Sequence, residues 1–170
     1  MLHFIKIFIL ILPILYICPV FALSSSWEGI DEAKVRIISP SATIGEKKTI
    51  YLGLEYKLQK GWKTYWHSPG EGGYPQTLNW QNSINVSSIE ILWPTPKHFN
   101  ILGIKSIGYE NEVVFPLKVN IQDINKKSVF IFNLDFLVCK EICIPVNTNL
   151  KLIFPPGIKK INENIFKIEK

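Results

Sequence analysis

A chain of 170 residues with a formal net charge of +5 at pH 7 carries its lysines scattered rather than in blocks, which argues against a nucleic-acid partner. With 47% hydrophobic residues it has the material for one domain of ordinary size with a substantial core.

The first 22 residues read as a signal peptide. His3 and Lys6 form a weak charged start, Ile5 to Ile17 is almost wholly apolar, and Val20-Phe21-Ala22 places small residues where a signal peptidase needs them. An uncleaved anchor is the rival, but a membrane span takes roughly 20 residues and Pro13 and Pro19 flank the second half of this stretch. A lipoprotein signal would need a small residue before Cys18, where Ile17 stands. Cleavage after Ala22 leaves a mature chain from Leu23 to Lys170 with no second hydrophobic segment, so a soluble, exported, periplasmic protein is expected.

From there the pattern is β. Thr49 to Tyr56 alternates, with Ile50, Leu52, Leu54 and Tyr56 on one face. Ile89 to Trp93, Val113 to Ile121, Val129 to Val138 and Asn147 to Phe154 also read as strands. Clusters such as Ser68-Pro69-Gly70 and Asp123-Ile124-Asn125-Lys126-Lys127 separate them. Roughly seven to nine short strands and no convincing helix predict an all-β fold, an antiparallel β-sandwich of immunoglobulin-like type, over residues 23–156. Pro155-Pro156-Gly157 closes the domain, and a lysine-rich tail occupies 157–170.

Cys139 and Cys143 are the two cysteines outside the signal segment. Two thiols this close, in a chain bound for an oxidising compartment, are expected to join as a disulfide. In the strand ending at Cys139, Phe130, Phe132, Leu134, Phe136 and Val138 make the core face, while Asn133, Asp135 and Cys139 fall on the other. In the next strand Cys143 shares the polar face with Asn147, Asn149 and Lys151. Both cysteines are thus predicted on the outer face, flanking a hairpin loop of Lys140 to Ile142, at a cross-strand spacing of about 4.5–5.5 Å. There the bond would lie within reach of another thiolate. So short a loop removes little unfolded-state entropy, which counts against a purely structural staple. Lys140 favours a thiolate and Glu141 and Asp135 oppose one, so charge leaves open which sulfur is attacked. On spacing alone, exchange chemistry and a passive disulfide both stay open.

Further motifs tilt the balance. Gly61-Trp62-Lys63-Thr64-Tyr65-Trp66, Pro69-Gly70, Gly73-Tyr74-Pro75, Leu92-Trp93-Pro94, Ile107-Gly108-Tyr109-Glu110 and Val113-Val114-Phe115-Pro116 precede Cys139 to Pro145 in order. From Trp27 to Phe154 the chain resembles the N-terminal periplasmic domain of DsbD-type thiol–disulfide interchange proteins, nearest to the branch that includes ScsB. The resemblance implies an immunoglobulin-like sandwich in which Cys139 and Cys143 are the redox pair. It implies a membrane-embedded thiol–disulfide reductase as electron donor and thioredoxin-fold periplasmic proteins as clients. It also implies a cap loop near His98 to Gly103, where Phe99 or Leu102 would shield sulfur, and Tyr65, Trp66 and Tyr109 lining the site. Well-studied members have five residues between the cysteines where this chain has three, and an acidic pair in the cap loop where this chain has Phe99-Asn100-Ile101-Leu102. The membrane and C-terminal domains of full-length members are not in the chain, which reads as a free-standing version.

No cofactor is expected. His67 and His98 with the two cysteines could in principle ligate zinc, but the reading taken is that both histidines are loop residues and no metal is bound. The alternative function is Cu(I) binding by the two thiols, with a copper-tolerance role. A passive immunoglobulin-like module is the third possibility.

Overall fold

The computed structural model describes residues 22–101 and 103–156. Residues 1–21, on which the signal-peptide reading falls, Leu102 and residues 157–170 lie outside the described residues.

Twelve strands and no helix occupy the described residues. The first six are β1 (Leu23–Ser24), β2 (Glu28–Ile30), β3 (Ala33–Ser39), β4 (Thr49–Leu58), β5 (Lys63–Gly70) and β6 (Thr77–Asn79). The rest are β7 (Val86–Ile91), β8 (Lys97–Ile101), β9 (Ile104–Glu110), β10 (Glu112–Ile121), β11 (Ser128–Cys139) and β12 (Cys143–Phe154). One sheet runs β1-β3-β4-β10-β7 with β2 on β3; the other runs β12-β11-β5-β9-β8 with β6 on β11. Every pairing is antiparallel, and the two sheets form an immunoglobulin-like sandwich.

The period-two pattern explains the packing. Ala33, Val35 and Ile37 of β3 point inward with Leu52, Leu54 and Tyr56 of β4 and Phe115, Leu117 and Val119 of β10. They meet Phe130, Phe132, Leu134 and Phe136 of β11 and Val146, Leu150, Leu152 and Phe154 of β12. Tyr56 joins the layers, edge-on to Phe115 at 5.3 Å and to Phe136 at 5.1 Å, while its hydroxyl donates to Gln76 Oε1.

The predicted strands from Thr49, Val113, Val129 and Asn147 all form, each a little longer than expected, and β7 begins three residues before the predicted Ile89. The strand count exceeds expectation because β1, β2 and β6 are pairings of two or three residues, too short to leave a periodic signal. Ser68-Pro69-Gly70 is not a separator. It lies inside β5, where the register against β9 jumps from Tyr65↔Gly108 to Gly70↔Ser106, so the proline occupies a bulge that asks nothing of its missing N–H.

Candidate functional site

The site is built at one end of the β11–β12 hairpin. The register runs unbroken from Ser128↔Phe154 to Cys139↔Cys143, and the Lys140 N–H donates to the Ile142 carbonyl at 2.9 Å to close the loop. The two Cα atoms lie 4.1 Å apart and a disulfide joins the sulfurs. The predicted hairpin, loop and pairing are all present.

Both cysteines do lie on the outer face, but that face is not open at Cys139. Cys139 is fully buried (0% exposed), whereas Cys143 is exposed. The cover is a small second cluster of Tyr65, Ile101, Leu137 and Cys139, with Phe99 packed against it. Tyr65 comes from β5, next to β11, and Phe99 and Ile101 come from β8 at the far edge of the same sheet. Side chains on alternate positions of these strands share the outer face with Cys139, so they close over one sulfur and leave its partner at the rim.

The Tyr65 hydroxyl donates to Cys139 Sγ at 3.0 Å. Burial pushes the Tyr65 phenol up from its usual value, so it holds its proton at neutral pH. Gly73 fixes the ring. At φ +87° it presses its backbone against Tyr65, and a Cβ there would stand 2.3 Å from the ring. Lys63 is the cation set directly across from Cys139 in register; its ammonium donates to the Gly61 carbonyl at 3.0 Å and lies 5.4 Å from the Phe99 ring. Lys140 is 3.8 Å from Glu141, which offsets its charge, and Asp135 accepts from Asn147 at 2.6 Å. The group in direct contact with Cys139 Sγ that favours a thiolate there is thus the Tyr65 hydroxyl.

Tyr65 and Phe99 thus sit at the disulfide, and Leu102 lies outside the described residues. Trp66 and Tyr109 do not line the site. Trp66 follows Tyr65 directly and so faces the opposite way, into the main core. Tyr109 pairs with Thr64 on that same inner face, meets Phe115 edge-on at 4.9 Å and donates to the Pro94 carbonyl at 2.8 Å. His67 packs against Trp66 and Trp93, and among the described residues no three His, Cys, Asp or Glu side chains converge.

Sequence reasoning missed Ile101, Leu137, Lys63 and Ser106. Leu137 was the readable clue: an apolar side chain on the polar face, two residues before Cys139, needs a cover. Ser106 lines a pocket of about 70 Å³ that opens beside Cys143.

Comparison with known proteins agrees with this geometry. The family model described as "Thiol:disulfide interchange protein DsbD, N-terminal" matches residues 34–155. Among solved structures, the chain is similar to the N-terminal periplasmic domain of ScsB from Proteus mirabilis, at 33% identity and a TM-score of 0.64. The match covers 76% of this chain and 50% of that one, so the chain spans about half the length of the solved relative. No curated protein matches.

Proposed function

The chain belongs to the family of N-terminal domains of the thiol:disulfide interchange protein DsbD, and we propose that it works in the periplasm as an electron relay. In this reading a membrane-embedded thiol–disulfide reductase reduces Cys139–Cys143, and the dithiol then reduces thioredoxin-fold clients.

One observation carries the chemistry: Cys143 is exposed, whereas Cys139 is buried and its sulfur accepts from a hydroxyl. A donor thiolate attacks Cys143 Sγ, the new S–S bond joins donor to Cys143, and the electron pair of the broken bond leaves on Cys139. The Tyr65 hydroxyl already points at that sulfur and stabilises the charge as it forms. The donor's second thiolate then attacks its own bonded sulfur, releasing Cys143 as a thiolate and leaving the donor oxidised. Toward a client the steps run in the opposite sense. Cys143 attacks the client disulfide, Cys139 attacks Cys143, and the client departs as a dithiol with two electrons.

The test is the reduction potential of the purified mature protein equilibrated with dithiothreitol or glutathione buffers. A midpoint of about −180 to −270 mV is expected of an exchange-active pair. A value below about −300 mV marks a structural bond and defeats the relay.

A further inference from the structure

We propose that the buried hydroxyl of Ser106 recognises the peptide group flanking a partner's cysteine while that cysteine is disulfide-bonded to Cys143. The inference rests on the exchange reading above and adds a recognition site to it.

Ser106 is 2% exposed, and its Oγ has no hydrogen-bond partner among the described residues. Buried hydroxyls are almost always paired, so one left open calls for an explanation. Two other buried side-chain atoms share this condition, Trp66 Nε1 and Gln76 Nε2. Neither lines the pocket beside the disulfide, and Ser106 does. In register, Ser106 stands between Gly70 of β5 and Phe99 of β8, which sets it on the outer face with Tyr65.

The pocket's shape limits what enters it. Tyr65, Gly72, Gly73, Ile101 and Ile104 line it together with Ser106 and Cys143. A volume of about 70 Å³ is far below the several hundred a small-molecule site takes. The apolar walls offer nothing to a charged group. A neutral, compact hydrogen-bond acceptor fits, and it must arrive with whatever bonds to Cys143. Every protein partner brings one, because its cysteine carries a peptide carbonyl on either side. Gly72 and Gly73 leave the approach clear: a Cβ on Gly72 would stand 2.9 Å from Ile104, and one on Gly73 would collide with Tyr65. The hydroxyl donates to the carbonyl oxygen, orienting the partner's chain along the outer face.

The experiment uses the full mature chain carrying Cys139→Ala, which leaves Cys143 free. Its thiolate attacks an added disulfide, forming a mixed disulfide and releasing one small thiol. Oxidised and reduced glutathione supply a cysteine flanked by two peptide bonds; cystamine and cysteamine supply a thiol with no carbonyl. Mass spectrometry reads the adduct at equilibrium with and without Ser106→Ala. The expected result is a glutathione adduct weakened about fivefold, the size of one net hydrogen bond, with the cysteamine adduct unchanged. The melting temperature should not fall, since the lost hydroxyl had no partner. Equal weakening of both adducts, or of neither, overturns the proposal while leaving the exchange reading intact. Failure of the Cys139→Ala protein to form either adduct defeats the exchange reading itself, and this inference with it.

Discussion

Replacing Tyr65 with Phe isolates one atom. The hydroxyl donates to Cys139 Sγ at 3.0 Å, and the ring that carries it is held by the Gly73 backbone. Tyr65→Phe keeps the ring and the cover over Cys139, so access to the disulfide does not change. What disappears is a donor to the sulfur that departs as a thiolate. A hydrogen bond to a charged group is worth about 1.5–3 kcal/mol. Thiol exchange develops about half of the charge at its transition state, which leaves roughly 0.8–1.5 kcal/mol. At 1.36 kcal/mol per tenfold, reduction by dithiothreitol should slow about 4- to 12-fold. Rapid acid quench followed by alkylation and mass spectrometry measures the rate, with the melting curve as a control for folding. A rate within about twofold of the parent refutes a leaving-group role. A faster rate refutes it too, and makes Tyr65 a steric cover alone.

Other consequences are as direct. With a thiol-reactive partner, Cys139→Ala should accumulate a mixed disulfide at Cys143, while Cys143→Ala should trap nothing because the remaining sulfur is buried; equal trapping by both would contradict the burial. Phe99→Ala removes part of the cover over Cys139 and should open that sulfur as a second point of attack, so that reduction by dithiothreitol quickens in the same alkylation assay. Asn85→Ala should cost about 2–3 kcal/mol in urea unfolding, because Asn85 sits at φ 63° and its amide donates to the Asp123 and Lys126 carbonyls and to Ser128 Oγ. Burial raises the phenols of Tyr56 and Tyr65, and raises Tyr109 to about 12, against an ordinary value near 10. Above that ordinary value the unfolded chain holds fewer protons than the folded one. Stability is therefore full below about pH 10 and falls as pH rises from there toward 12. Tyr109→Phe should flatten the fall in melting temperature across that window.

Alternation carried the most information in this sequence. It placed Phe130, Phe132, Leu134, Phe136 and Val138 inward, set Cys139 against Cys143 and identified the outer face, because a strand's two faces follow from period two alone. The same rule separates Tyr65 from Trp66, which cannot both face the disulfide from one strand. Depth was not readable in this way. Cys139 is buried by Phe99 and Ile101, whose strand is brought over by the β8–β9 hairpin; Leu137 signals that a cover is needed, but no local pattern around Cys139 says which distant strand supplies it. β5 was hidden for another reason. Ser68-Pro69-Gly70 has the chemistry of a turn, and only its place as a bulge against β9 makes it part of a strand. Lys63 was likewise invisible as a neighbour of sulfur, since its position across from Cys139 exists only once β5 and β11 meet.

The β11–β12 ladder has a kinetic meaning as well. Cys139 and Cys143 are the last of its twelve register pairs, so eleven further pairs join the strands beside their bond. When the bond opens, hydrogen-bonded strands still hold the two thiols together, so each sees the other at high effective concentration. In the relay proposed above, a partner attached to Cys143 is displaced by an intramolecular attack from Cys139. On that reading its dwell time depends on the closing of a hairpin end, and the pair, reduced again by its donor after each client, can serve partners of unlike surface.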